Sequence, residues 1–144
     1  PYPWGREPLG EGTARCNIWS GRFPVENTLR DGHYGTAPVG QYPPNGYGLF
    51  DMAGNVWEVC SDWFDPDHYA RCDAERPTLN PSGPETWSDP MDPLEPKRVM
   101  RGGSFLCNAS YCSSYRVTAR MAHGQSTGMS HVGFRCVWGT QNPE

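Results

Sequence analysis

The sequence predicts a loop-rich domain in which short secondary-structure elements surround a core of large aromatic rings. The 144 residues include 17 Gly and 15 Pro, which interrupt helices and strands at short intervals. Only 36% of the residues are hydrophobic, yet there are six Trp, seven Tyr and five Phe. Because each ring removes a large apolar area from water, a few rings can supply much of the burial. Disordered chains are poor in such rings, so we expect a folded domain.

The first two thirds of the chain contain one clear strand candidate. Residues 1–48 are rich in turn-forming Pro, Gly and Asn and sustain no helical period. Residues 56–63 alternate along the chain as a strand does, and they predict the first strand. Residues 65–97 hold seven of the Pro residues and many acidic ones. They predict a long excursion over the surface, a kind of segment that is usually functional or mobile.

The last third of the chain contains the remaining strand candidates. A strand is predicted to begin at Arg98 and to be interrupted by Gly102 and Gly103. Residues 114–121 and 132–138 predict two further short strands. No internal repeat or low-complexity tract is present.

Charge and hydropathy exclude several classes of partner. The formal net charge is -4, with 12 Lys and Arg against 16 Asp and Glu, and no basic run occurs. We therefore expect no nucleic-acid partner. No apolar run approaches the roughly 18 residues that a membrane span needs, so we expect no membrane partner.

Cys107 and Cys112 are the strongest chemical candidates among the six cysteines. They lie five positions apart, a spacing that brings side chains together in neither a strand nor a helix. The residues between them, 108–110, have the composition of a turn, which would let the two sulfurs converge. The spacing alone leaves three alternatives: a local disulfide, two unrelated thiols, or a soft-metal site suited to Cu(I).

Other catalytic or metal patterns are lacking in the sequence. A structural zinc site wants four ligands, and no second Cys-x-x-Cys completes one. The four His residues show no zinc-binding spacing, and neither a Gly-x-Ser-x-Gly elbow nor a phosphate-binding loop occurs.

An ordered series of motifs along nearly the whole chain resembles the formylglycine-generating enzyme family, also called sulfatase-modifying factors. The series consists of Tyr2-Pro-Trp-Gly5, Pro43-Pro-Asn-Gly-Tyr-Gly-Leu-Phe-Asp51, Gly54-Asn-Val-Trp-Glu58, Arg101-Gly-Gly-Ser104 and Gly133-Phe-Arg135. These motifs identify the wider superfamily. The segment Ser104-Phe-Leu-Cys-Asn-Ala-Ser-Tyr-Cys112 narrows the resemblance to the oxidase branch, which carries two cysteines at this spacing.

The resemblance implies a fold and an extent. It implies an α+β, C-type-lectin-like architecture, loop-rich with short strands and helices. Residues 1–144 would form the C-terminal part of a single such domain, whose N-terminal part is absent from this chain. We expect a monomer.

The resemblance also implies an activity, the copper- and oxygen-dependent oxidation of a sulfatase cysteine to Cα-formylglycine. Cys107 and Cys112 would hold Cu(I), and O2 would be the co-substrate. The partner would be an unfolded sulfatase polypeptide bearing Cys-x-Pro-x-Arg. The alternatives are a non-catalytic module of the same superfamily that binds peptide or carbohydrate, and the iron-dependent sulfoxide synthases. The latter are disfavoured because this chain has no iron-binding His cluster.

Four further site residues follow from the resemblance, each with a structural alternative. Ser104 matches the family's active-site serine, but it is also a plausible turn serine. Tyr111 and Trp57 match aromatic residues near the family's pocket, although such rings are by default core residues. Arg120 matches an arginine of the site, with a structural ion pair as its alternative.

The resemblance implies two structural Ca2+ sites as well. One would use Asn17, Ile18, Asp31 and His33, and the other would use Asp51, Gly54, Val56 and Glu58. Asp31, Asp51 and Glu58 supply the anionic hard oxygens that calcium prefers. The alternative is that these acidic residues only cap turns.

Several positions depart from the family pattern. Val59 replaces a Trp, Asn108 stands where His is common, Ser113 replaces a larger residue, and His131 replaces an Asn. In secreted members the cysteine aligned with Cys136 pairs with an upstream residue that would precede Pro1, and Val117 replaces another paired cysteine. These differences favour a reduced, bacterial-type cytoplasmic protein, with the secretory pathway as the alternative.

Overall fold

Regular structure is sparse in this protein. The computed structural model describes residues 1–9, 14–73 and 75–139. Its elements are β1 (Trp57–Trp63), a 3-10 helix (Tyr69–Arg71), β2 (Lys97–Arg101), β3 (Met121–Gly124) and β4 (Val132–Gly133). The predicted loop-rich domain with short strands is confirmed. The helical part of the predicted α+β class is not, since the 3-10 turn is the only helix within those ranges. None of the described helical structure has the length and apolarity needed to cross a membrane.

The four strands form one sheet in the order β3-β2-β1-β4. β2 is antiparallel to β1 and β3, whereas β4 runs parallel to β1. The register of β1 against β2 shifts between Val59 and Trp63, an irregularity that bends and twists a strand. Beyond the shift, the Arg98 guanidinium lies 3.5 Å from the centre of the Trp63 ring. This cation–π contact joins the two central strands where their backbone ladder is irregular.

The first two strand predictions are confirmed, and the last two are wrong over most of their length. Residues 114–120 form turns, with bonds from the Arg116 N–H to the Ser113 carbonyl and from the Ala119 N–H to the Arg116 carbonyl. Strand pairing begins only at Met121. In the 132–138 segment, pairing stops after Gly133, and the apolar residues that follow face solvent. Their apolar composition suggested a strand, but among the described residues no backbone pairs with them.

The core lies where the central strands meet the segment after the glycine pair. It consists of Cys16, Ala53, Trp57, Met100, Cys107 and Tyr115. Gly103 has φ +72, and a Cβ there would lie 2.9 Å from the Tyr115 nitrogen and 3.2 Å from the Cys107 sulfur. Only glycine fits this position without displacing its neighbours. The glycine pair that ends β2 therefore also leaves room for the Cys107 side chain in the core.

The predicted surface excursion over residues 65–97 is confirmed. The 3-10 turn is its only helical element, and residues 75–82 are all exposed. Its end is anchored by Lys97, whose ammonium lies 3.5 Å from an Asp89 carboxylate oxygen and also pairs with Asp92. The excursion is thus fixed at its boundary with β2 and open to solvent along its middle.

Candidate thiol-pair site

Cys107 and Cys112 are the two ends of a tight turn, which we call the thiol loop (residues 107–112). The Tyr111 and Cys112 N–H groups both donate to the Asn108 carbonyl, at 3.0 and 2.7 Å. The Cys107 N–H donates to the Ser104 carbonyl at 2.9 Å. The predicted turn is therefore confirmed, and it reverses the chain so that the two sulfurs face each other.

The two thiols are free, and each shifts the pKa of the other. All six cysteines are unpaired in this structure. Cys107 is only 2% exposed, while Cys112 is half-buried and packs against the same core cluster. The local disulfide is thus absent from this structure, and the soft-metal site stays a prediction.

The pKa values of the two thiols are shifted in opposite directions. The hydrogen bond from Cys107 lowers the pKa of Cys112 to about 6, against the opposing effect of burial, with help from Ser114 and the nearby charge of His131. The same bond, together with burial, raises the pKa of Cys107. The lowered pKa of Cys112 favours its thiolate, and the raised pKa of Cys107 favours its thiol. A thiolate is the form of cysteine that binds metals and acts as a nucleophile.

Ser104 contacts the buried sulfur of Cys107. It is almost fully buried, and its backbone N–H donates to the Cys107 sulfur at 3.5 Å. Its hydroxyl accepts the Leu106 N–H at 3.3 Å. The turn role considered for Ser104 is therefore seen, and its backbone contacts a sulfur of the pair, while the active-site role of its hydroxyl stays a prediction.

Tyr111 and Trp57 occupy opposite kinds of environment. Trp57 is buried in the same core cluster as Cys107, as the core alternative holds. Tyr111 is 69% exposed, and its ring stacks on Phe23 with centroids 4.4 Å apart. Tyr111 is thus a surface ring adjacent in sequence to the thiolate, whereas Trp57 packs among the apolar residues around the thiol.

Arg120 contacts the start of the excursion. Its guanidinium donates to the carbonyls of Asp65 and Pro66 at 2.7 and 2.8 Å. It also lies 4.5 Å from the centre of the Tyr69 ring. These contacts resemble the structural alternative, although backbone carbonyls and a ring replace the carboxylate of an ion pair.

The first predicted calcium set comes together around a buried carboxylate. The two oxygens of Asp31 accept the N–H groups of Ile18 and His33, at 3.0 and 3.1 Å. Asn17 is 1% exposed, and its side-chain oxygen has no hydrogen-bond partner. A buried amide oxygen without a partner is costly in a folded protein unless an ion or water satisfies it.

The second predicted calcium set is engaged by an arginine. The Arg135 guanidinium pairs with the Glu58 carboxylate and donates to the carbonyls of Phe50 and Asp51, at 2.9 and 3.2 Å. The Asp51 carboxylate accepts the Gly40 N–H at 2.7 Å. Across the described ranges, no three or more His, Cys, Asp or Glu side chains are grouped so as to hold a metal.

The profile of the Sulfatase-modifying factor enzyme 1-like domain matches residues 1–140. The chain belongs to the sulfatase-modifying factor family. It is 52% identical over 135 residues to a formylglycine-generating enzyme of Streptomyces coelicolor, covering 94% of this chain and 39% of that protein. It is 44% identical to the formylglycine-generating enzyme of Mus musculus, covering 94% of this chain and 33% of that protein.

The fold of this sulfatase-modifying factor chain also matches a solved structure. The structure of PvdO from Pseudomonas aeruginosa superposes with a TM-score of 0.57 at 26% identity. The match covers 93% of this chain and 42% of that one. The chain thus spans between a third and about two fifths of the length of these proteins.

Two residues near the thiol pair were noted in the sequence only as departures from the sulfatase-modifying factor pattern. His131 is among the groups that lower the pKa of Cys112, and its ring meets Phe105 edge-on at 6.4 Å. Asn108 bonds across to residues 19–21. The sequence signal for Asn108 was its turn composition, which predicts the local bend but not a contact with residues almost 90 positions away.

Proposed function

We propose that this chain carries the thiol pair of a formylglycine-generating oxidase, which uses copper and oxygen to convert a sulfatase cysteine within Cys-x-Pro-x-Arg to Cα-formylglycine. One observation carries the proposal: two free cysteines, one buried and one half-buried, lie at the ends of one turn and shift each other's pKa. Relatives named formylglycine-generating enzymes at 52% and 44% identity support it. Because the chain matches only 39% and 33% of the length of those relatives, the proposal concerns the activity of the longer domain.

The residues of the pair fit Cu(I). Two sulfur ligands suit a soft monovalent ion and leave coordination positions open for a third ligand. Copper held there would supply the one-electron chemistry that lets dioxygen act on a substrate thiol. The Cys112 thiolate already carries the charge such an ion needs, and the proton on Cys107 would leave on binding. The Ser104 N–H, aimed at the Cys107 sulfur, stabilises the charge that deprotonation would place there.

The substrate would approach from the Cys112 side, because Cys107 is buried. Tyr111 is exposed there and stacks on the partly buried Phe23 ring, a surface suited to an extended peptide. The substrate cysteine would lose its thiol proton and, from Cβ, a proton and two electrons, which would reduce dioxygen to hydrogen peroxide and leave a thioaldehyde. Water would then replace the sulfur, which leaves as sulfide, and the product is an aldehyde. We propose that the partner is an unfolded sulfatase and that the protein is a monomer of the reducing cytoplasm, which accords with six free cysteines.

The first calcium set fits its ion better than the second. The unpartnered oxygen of Asn17 and the buried Asp31 carboxylate favour a bound cation there. In the second set Arg135 already balances the Glu58 carboxylate. We propose structural Ca2+ at Asn17, Ile18, Asp31 and His33, while the set of Asp51, Gly54, Val56 and Glu58 stays a prediction.

The test is conversion of a Cys-x-Pro-x-Arg peptide by the copper-loaded full-length protein, followed by mass spectrometry for loss of sulfur. We expect Cys112→Ser to lower turnover by at least about 100-fold, because one of the two ligands is lost. Cys60→Ser is the matched control, since Cys60 is also half-buried but lies outside the pair, and its turnover should not change. Full turnover by Cys112→Ser would refute the assignment. A folded wild-type protein that binds no Cu(I) would favour the non-catalytic module.

A further inference from the structure

The thiol loop is not supported by the sheet alone, because it also contacts residues 19–28, which we call the bracing loop. The Trp19 N–H donates to the Cys107 carbonyl at 3.0 Å, so one backbone bond joins the loops at the buried cysteine. At the other end, the Tyr111 ring stacks on Phe23. Between these two contacts, the Asn108 side chain makes further hydrogen bonds from the thiol loop to the bracing loop.

Asn108 uses both ends of its amide. Its side-chain NH2 donates to the carbonyls of Trp19 and Gly21, at 3.1 and 3.0 Å. Its side-chain oxygen accepts the N–H and hydroxyl of Ser110, at 2.9 and 2.7 Å. Its backbone carbonyl accepts the Cys112 N–H at 2.7 Å. One residue therefore shapes the turn internally and ties it to a distant segment.

The bracing loop is closed by hydrogen bonds between its own residues. The Thr28 N–H donates to the Ser20 carbonyl at 2.7 Å, and the Trp19 indole N–H donates to the Glu26 carbonyl at 2.9 Å. Gly21 has φ +109, and a Cβ there would lie 2.7 Å from the Glu26 carbonyl oxygen. The loop is thus closed on itself at the residue whose carbonyl Asn108 binds.

We propose that Asn108 is a positioning residue that sets the distance and orientation of the two sulfurs by tying the thiol loop to the bracing loop. The tie acts on Cys112 through the Asn108 carbonyl and on Cys107 through the neighbouring Trp19 contact. The proposal deepens the proposed function, but only its copper readout rests on that function.

Two variants remove the tie and keep the local turn. Asn108→Ser retains a hydroxyl that can accept the Ser110 N–H, and Asn108→Asp retains carboxylate oxygens for the same purpose. Neither has amide hydrogens for the carbonyls of Trp19 and Gly21. Asn45→Asp is the matched control, because Asn45 also caps a turn, accepting the N–H groups of Tyr47 and Leu49.

The probe is phenylarsine oxide, which bridges two thiols only when they lie close together and releases water as it does so. The adduct is mapped by mass spectrometry to Cys107 and Cys112, with Cys112→Ser defining the background. We expect both Asn108 variants to bind the arsenical at least about tenfold more weakly, the effect typical of residues that orient metal ligands. Their melting midpoints should stay well above the assay temperature, and Asn45→Asp should match the wild type.

Cu(I) affinity, measured by competition with a chelator, separates this proposal from the proposed function. A wild type that takes up the arsenical but no Cu(I) sinks the oxidase while the positioning role stands. Folded Asn108 variants that bind the arsenical as tightly as the wild type overturn the positioning role and leave the oxidase untouched.

Should both variants unfold, hydrogen exchange in the wild type decides. Amides bonded across one braced unit open together and exchange at similar rates. Similar protection of the Cys112 and Trp19 N–H groups supports the tie. Exchange of Cys112 at least about tenfold faster than that of Trp19 overturns it, since the two loops would then open independently.

Discussion

The thiol loop and the excursion over residues 65–97 are both irregular backbone, yet they differ in what holds them. The thiol loop is only six residues long, but it contacts the core, the glycine pair and the bracing loop. The excursion is bound near its ends, where the Ser88 N–H donates to the Phe64 carbonyl and Lys97 meets its carboxylates. Residues 75–82 between these anchors face solvent.

The difference shows that order in a loop comes from partners outside it. Backbone polar groups that no helix or sheet satisfies need other partners or water. The thiol loop has side-chain amide and backbone partners from distant segments, whereas the middle of the excursion is left to solvent. Chemistry that needs two sulfurs at a fixed separation accordingly belongs to the first region.

The largest expected effect is on stability, and it is tested by replacing one glycine beside the thiol loop and one in the excursion with alanine. Gly103→Ala should destabilise the fold by about 2–4 kcal/mol, since it combines a positive φ with overlap against backbone and the Cys107 sulfur. Gly83→Ala, in the excursion, also has a positive φ, but its Cβ would meet the movable Asp62 side chain. It should cost about 1 kcal/mol. Urea unfolding measures both, and equal losses would remove the proposed contrast.

A smaller effect concerns pH at the thiol pair. In the metal-free protein, alkylation of Cys112 by iodoacetamide should reach half its maximal rate near pH 6, where its depressed pKa lies. Cys107→Ala removes the hydrogen bond that favours the thiolate, so the midpoint should rise by at least about one pH unit, equivalent to about 1.4 kcal/mol. Peptide-resolved mass spectrometry follows the reaction.

Cys16 is the internal control for that titration. Burial, and secondarily the nearby Asp31, raises the pKa of Cys16 to about 12, so it should stay unmodified up to pH 8. An unchanged Cys112 midpoint in Cys107→Ala would show that the two thiols do not share a proton.

The smallest effect is expected in the middle of the excursion. Leu79 is 88% exposed, and Leu79→Ser should change the free energy of unfolding by less than about 0.5 kcal/mol. Thermal or urea unfolding is the measurement. A loss above about 1 kcal/mol would mean that the excursion packs more firmly than its exposure indicates.

Local patterns in the sequence predicted the parts of the fold that depend on neighbours in the chain. The alternation over residues 56–63 predicted β1, and the glycine pair predicted the end of β2. The segments 114–121 and 132–138 failed because strand composition is not sufficient where no partner backbone lies alongside. Aromatic residues predicted the core only in part. Trp57 and Tyr115 are buried, whereas Tyr47 and Trp138 are exposed.

The sequence indicated which residues group around the two cysteines better than it indicated the contacts that hold them in place. The resemblance indicated Cys107, Cys112 and Ser104, and the structure brings these three together. It also grouped Arg120 with the site, but the contacts of that residue run to Asp65 and Pro66. The contact of Asn108 with the bracing loop depends on two segments meeting in space, which no local pattern encodes.

Arg135 has a consequence for shortening the chain. Its side chain reaches back from the residues after β4 to Glu58 on β1 and to the carbonyls of Phe50 and Asp51. A truncation ending at Phe134 would keep every strand residue yet lose this latch. The two-residue edge strand would then depend on its few ladder bonds, and Glu58 would be left without its counter-charge.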